Sequence, residues 1–224
     1  MILRSCLAIE GSLRFLSHLD TLRIVGKALR RAEIPVAFSQ GFNPHPLIAF
    51  GPPRPVGMVS RCEYFDVELK EYVVPREFQK RFQEQCPLGL SIQKVGEIPR
   101  GTGALNALIN CATYRLTTVF SPPLTKVELN NRVKDIFGKK EIIVVRQSPK
   151  GTKQYDIRPG IWALSACPVE DGAVVEMEVM TGSAGNVKPG EVIDSLGING
   201  CEVTEIVRTG LFKRLPDGVK LLPL

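Results

Sequence analysis

The sequence predicts an α+β fold, on three observations. Short apolar runs bounded by Gly, Pro and Asn recur along the chain, the mark of strands joined by turns. Each half also carries stretches that read as helices. A Pro-Arg-Gly-Thr-Gly break at 99–103 separates the halves. The elements read β-α-β-β-α-β on either side of that break, with an extra hairpin piece in the first half and one added strand in the second. Split βαβ units of this order form ferredoxin-like sandwiches, antiparallel sheets with helices on one face. The expected architecture is therefore two tandem ferredoxin-like modules, residues 1–99 and 104–224. The repeat lies in the order of elements, since the letters themselves show no self-similarity.

In chain order, residues 2–9 read as a strand and 13–16 as a short strand piece. A helix follows over 17–32. Ser17 is a good N-cap, Asp20 three residues on makes a capping-box-like start, and Pro35 enforces the end. Strands at 36–38 and 47–50 flank the loop Ser39-Gln40-Gly41-Phe42-Asn43-Pro44-His45-Pro46. Residues 51–57 are proline-rich and form a rigid connection. Alternation over 63–69 predicts a strand, Pro75 opens a helix that ends at Cys86 before Pro87, and 90–98 is a strand. After the break come a short helix at 104–111, a strand at 113–120 and a helix at 125–137. Strands at 141–146, 152–157, 161–166 and 173–180 follow. A helix from Pro189 to 196 and a strand at 201–208 complete the chain.

Composition narrows the class. Hydrophobic residues are 44% and charged residues 23% of the chain. That balance offsets chain entropy and excludes a disordered protein. The cysteines are Cys6, Cys62, Cys86, Cys111, Cys167 and Cys201. No two are close in sequence, which excludes a zinc ribbon or an iron–sulfur run and makes them small core hydrophobes. The start lacks a basic region followed by an apolar run, and no stretch approaches the ~20 apolar residues of a membrane span. Together with the scattered thiols this predicts a cytoplasmic protein without a membrane partner. There is no cofactor motif, so no cofactor is expected and the chain is read as binding a substrate more than transforming one alone. Lys and Arg total 29 against 23 acids, for a net charge of +6. What matters is where that excess sits.

The helix at 17–32 gathers much of it. At 100° per residue, Leu22, Val25, Ala28, Leu29 and Ala32 share one face. Arg23, Lys27, Arg30 and Arg31 share the opposite face, with Arg14 just upstream. Such a stripe suits a phosphate backbone; it also suits a solvated face, with Asp20 pairing to Arg23 or Lys27. The loop offers a second binding element. Gly41 allows close backbone approach, Phe42 can stack on a base, Gln40 and Asn43 can read polar edges, and two prolines stiffen the whole. The same loop also fits a structural turn whose Phe42 plugs the core while His45 caps a backbone group.

His18 and His45 are the two histidines, and with nearby cations they form a candidate general acid–base pair for RNA cleavage. A zinc site from His18, Asp20 and His45 matches no ligand spacing, and no metal is expected. In the second half, Arg158 and Lys188 each precede a Pro-Gly pair, and Lys188 stands at a helix start, where backbone N–H groups favour an anion. Two ordinary turns account for these residues equally well.

The stretches Leu13-Arg14-Phe15-Leu16-Ser17-His18-Leu19-Asp20 and Phe38-Ser39-Gln40-Gly41-Phe42-Asn43-Pro44-His45-Pro46 resemble the radical SAM-linked family, a bacterial domain of unknown function. Arg30-Arg31-Ala32, Asp156-Ile157-Arg158-Pro159 and Lys188-Pro189 fit the same pattern. The resemblance implies a domain fused to, or encoded beside, radical SAM proteins that also carry a cobalamin-binding-type region. This chain lacks the CxxxCxxC that holds a [4Fe–4S] cluster, so the resemblance implies an accessory that presents a substrate to a separate radical SAM enzyme. Three functions follow as expectations. The first is an RNA-binding accessory, with Arg14, Arg23, Lys27, Arg30, Arg31, Arg158 and Lys188 on phosphates. The second is a metal-independent RNA endonuclease using His18 and His45. The third is a protein-docking module that touches no RNA.

Overall fold

Ile2–Ile9 forms strand β1, an apolar run with seven of its eight residues buried. It lies between two partners and has no solvent-facing side to fill with polar residues. Its one cation, Arg4, faces Asp66 in the register of the neighbouring strand β3 (Val59–Glu68) and forms a bidentate pair with it, at 2.7 and 2.8 Å. On its other side β1 pairs antiparallel with β4 (Leu90–Ile98), and β2 (Ile48–Phe50) pairs antiparallel with β3. The strand order β4-β1-β3-β2 carries two helices, α1 (His18–Arg31) and α2 (Pro75–Glu84). Both turn an apolar stripe inward. Val25, Ala28 and Leu29 of α1 and Phe78 and Phe82 of α2 are buried with Leu3, Leu7, Phe65 and Val67 of the sheet.

The computed structural model describes residues 1–149 and 151–224, and the chain divides into two compact units. The first is Met1–Asn110 together with Arg208–Leu224, and the second is Cys111–Val207. The α+β class expected from the sequence is the class observed. The short helix α3 (Leu105–Leu108), whose Leu105 is buried, falls within the first unit. The tail also returns to that unit, where Arg4 donates to the Pro223 carbonyl at 2.8 Å.

The second unit holds β5 (Cys111–Val119), α4 (Lys126–Gly138), β6 (Ile143–Ser148), β7 (Gly151–Asp156), β8 (Ile161–Val169), β9 (Gly172–Met180) and α5 (Pro189–Ser195). Its main strands run β5-β9-β8, with antiparallel pairing throughout. Strand β10 (Glu202–Arg214) passes from this unit into the first, and β11 (Lys220–Leu221) pairs with its end. The β6–β7 hairpin forms a two-stranded sheet of its own.

Two expected strands are absent. Residues 13–15 belong to a 3-10 turn, Gly11–Phe15, with Leu16 as its cap, and the Arg54 guanidinium donates to the carbonyls of Leu13, Arg14 and Leu16. Residues 36–38 make only the isolated bridges Val36↔Leu69 and Phe38↔Pro46. Pro35 supplies no N–H, and the turn begins at Ser39. Among the described residues no helix is long and apolar enough to cross a membrane.

Helix α1 starts as its sequence predicts, with Ser17 Oγ accepting from the Asp20 backbone at 3.1 Å. Its end is a Schellman motif: Ile34 N–H donates to Leu29, and Glu33 N–H donates to Arg30, each at 3.1 Å. Glu33 takes the left-handed position of that motif, with φ 51°. A side chain there costs about 1 kcal/mol that glycine avoids. Glu33→Gly is expected to raise the stability of the unit by about 1 kcal/mol, read as an increased urea midpoint.

Candidate nucleic-acid interface

The Schellman turn folds 34–38 back along α1 and so creates a groove. Its floor is apolar, made by Leu29, Ile34, Val36 and Ile48 with Pro35, Phe38 and Pro46, and it encloses about 520 Å³. Arg23, Lys27 and Arg30 of α1 line the groove, joined by Lys70. Lys70 arrives through backbone pairing: its N–H donates to Pro35 at 2.8 Å, and the residue before it bridges Val36. All four cations are exposed, and no carboxylate lines the groove among the described residues.

The four are not equally committed. Arg23 pairs with Asp20 at 3.0 Å, and hydrogen bonds from Ser17 and then Arg23 hold the Asp20 carboxyl below the ordinary carboxylate range. Lys70 lies over the Phe38 ring at 5.5 Å. Lys27 and Arg30 have no ion-pair partner among the described residues. Arg31 and Arg14 do not line the groove. Arg31 donates to the Gln85 carbonyl past the end of α2 at 2.7 Å, and Arg14 lies over Phe15 at 4.8 Å.

The loop at 39–45 springs from the groove wall, since Phe38 and Pro46 are both bridge partners and lining residues. Ser39 N–H donates to the His45 carbonyl at 2.9 Å, His45 N–H donates to Ser39 Oγ at 3.1 Å, and the hydroxyl shares a further bond with Nδ1 at 2.8 Å. Gly41 has φ 134°, a conformation that favours glycine. Gln40, Gly41, Phe42, Asn43 and His45 are all exposed, and Phe42 completely so. Phe42 therefore does not plug the core.

His18 is half-buried in a different setting. Its ring meets Phe50 edge-on at 5.9 Å, beside a small cavity lined by Thr21, Arg54, Glu63 and Tyr64. No hydrogen bond or ring contact joins it to His45 among the described residues. No group of three or more His, Cys, Asp or Glu residues able to hold a metal is present among them either. Burial pushes the Cys6 and Cys86 thiols each up to about 11 and raises Cys62 further. Such thiols are poor nucleophiles. Cys167 is exposed and departs from the expected core role.

Arg158 and Lys188 belong to the second unit. Arg158 donates to the carbonyls of Ile161 and Phe137, both at 3.2 Å, and lies over the Phe137 ring. Lys188 is exposed, but the expected anion position at the start of α5 is taken. Glu191 accepts from the Lys188 N–H at 3.2 Å and from Arg146 at 2.6 and 2.7 Å. Despite partial burial, which works the other way, the bonds from Arg146 and Lys188 hold Glu191 below the usual carboxylate range.

Sequence reasoning missed Lys70, which reaches the groove only through pairing at the end of β3. It also missed the buried pair of Arg208 and Glu63, at 3.0 Å, and the Arg54 clasp. In both cases an arginine sat in a stretch read as ordinary strand or rigid connection.

Comparison with solved structures gives fold-level likeness at low identity. The chain aligns over 92% of its length with a chain in "Structure of H/ACA RNP bound to a substrate RNA containing 2'-deoxyuridine", at 10% identity and TM-score 0.50. It aligns over 92% with one in "Crystal Structure of a Cbf5-Nop10-Gar1 Complex" (10%, TM-score 0.49) and over 91% with one in "Crystal structure of the archaeal box H/ACA sRNP Nop10-Cbf5 complex" (9%, TM-score 0.47). It spans about half of those chains: 47%, 48% and 46% respectively. The search of curated proteins returns no match. A family model does match, over residues 3–189, and the chain belongs to that family, described as "Uncharacterized protein conserved in bacteria (DUF2344)".

Proposed function

We propose that this protein is an RNA-binding accessory that holds a substrate RNA for a separate enzyme, in RNA modification. The observation that carries the reading is the groove along α1. Four cations from two parts of the chain line an apolar floor, Lys27 and Arg30 among them without ion-pair partners, and no acid enters the lining. A polyanion releases counterions on binding such a surface, and that gain in affinity is sequence-independent. A radical SAM enzyme is the proposed partner. Support for it comes from the resemblance carried by the motifs at 13–20 and 38–46, the second of which borders the groove through Phe38 and Pro46.

Both units are read here as ferredoxin-like. The strand order β4-β1-β3-β2 around two helices supports this in the first, and β10-β5-β9-β8 with α4 and α5 supports it in the second. The likeness to a chain solved with a substrate RNA speaks for the fold, and the RNA reading rests on the groove. Titrating labelled RNA with the full chain at several salt concentrations tests it. Affinity is expected to fall linearly on log–log axes, with a slope of about −2 to −3 from three or four phosphate contacts. Binding that is absent at low salt, or indifferent to salt, contradicts the proposal.

A further inference from the structure

We infer that the groove and its loop select single-stranded over duplex RNA, stacking one base on Phe42 and laying a neighbouring nucleotide over the apolar floor. This rests on the RNA reading above and narrows its substrate class. A duplex turns phosphates and sugars outward and hides its base faces, so it would satisfy the cations yet leave the floor uncovered. A single strand offers both charges and π-faces, and groove proteins that bind single strands combine cations with aromatic platforms for this reason.

Phe42 has the properties of such a platform. Its ring is wholly in solvent, which makes it useless to the core. It stands on a loop closed at the base by the Ser39–His45 bonds and stiffened by Pro44 and Pro46, so a base that stacks there orders little more chain. The loop adjoins the floor through Phe38 and Pro46. Arg23 to Arg30 spans roughly 10 Å of helix at 1.5 Å per residue. That is the length of roughly three stacked nucleotides at 3.4 Å each. Groove and loop together suit a short single-stranded run.

The test is fluorescence anisotropy on the full chain, with a labelled mixed-sequence RNA of about 12 nucleotides and the duplex it forms with its complement. Wild type is expected to bind the single strand about tenfold more tightly than the duplex. Phe42→Ala is expected to lose about tenfold on the single strand and to leave duplex binding nearly unchanged, while Phe42→Trp keeps single-strand affinity. The Phe42 side chain has no packing to lose, so an unchanged melting curve accompanies these effects. Equal affinity for both forms with no effect of Phe42→Ala overturns the strand preference and leaves salt-dependent RNA binding standing. No salt-sensitive binding to either form removes the RNA reading as well.

Discussion

Changing Lys27 and Arg30 together to alanine is expected to weaken RNA binding about 25-fold at 0.1 M salt and to make the salt slope shallower by about 1.4. Both figures follow from counterion release on a single strand, roughly 0.7 in slope per neutralised phosphate, which is about fivefold per contact at that salt. The variant isolates charge from folding. Both side chains are exposed, neither has an ion-pair partner among the described residues, and alanine is a better helix former than either. Arg31→Ala is the matched control. Arg31 is as cationic and lies on the same helix, but it bonds the Gln85 carbonyl outside the groove, so the slope is expected to stay at the wild-type value. An equal loss in both variants would mean that general positive charge, and not the groove, attracts RNA.

Removing Glu63 is expected to destabilise the fold strongly. Its carboxylate accepts from Arg208 Nη1 at 3.0 and 3.2 Å, and Arg208 is 2% exposed. Arg208 also donates to the Pro52 and Pro53 carbonyls, tying the rigid proline segment to the returning C-terminal strand. Truncating one member leaves the other charge buried without compensation, at a cost of about 3–5 kcal/mol. Glu63→Ala should therefore show a large fall in urea midpoint. The pair Glu63→Leu with Arg208→Met removes both charges and is expected to recover most of that loss, since two apolar groups of similar volume replace the pair. A small effect of Glu63→Ala would mean that water reaches Arg208 and the site is not dry.

The parts of this molecule that were legible in the sequence are those fixed by local chemistry. Ser17 and Asp20 announce the start of α1, the spacing of Val25, Ala28 and Leu29 announces its buried face, and β4 coincides with its expected span, 90–98. What escaped is carried by contacts distant in sequence. Arg54, about 40 residues away in sequence, donates to the carbonyls of Leu13, Arg14 and Leu16 and holds this segment in a turn where a strand is expected. The tail rejoins the first unit through Arg4 and Pro223, a contact that no periodicity encodes. The candidate site divides the same way. The stripe of Arg23, Lys27 and Arg30 follows from 100° spacing, whereas Arg31, one residue further round, turns to α2 and Lys70 arrives from the end of β3. At Lys188 the backbone N–H groups of a helix start favour an anion, and Glu191, three residues on, fills that position itself.

Photocrosslinking tests the central claim most directly, because it reports position as well as affinity. Single-stranded RNA carrying 4-thiouridine is bound to the full chain at low salt and irradiated, and the crosslinked peptides are identified by mass spectrometry. Crosslinks are expected within 23–48, above all at Phe42 and beside Pro46, and they should fade when salt is raised or when Lys27 and Arg30 are alanine. Crosslinks confined to 111–207, or spread evenly over basic residues of both units, would contradict the groove as the RNA site.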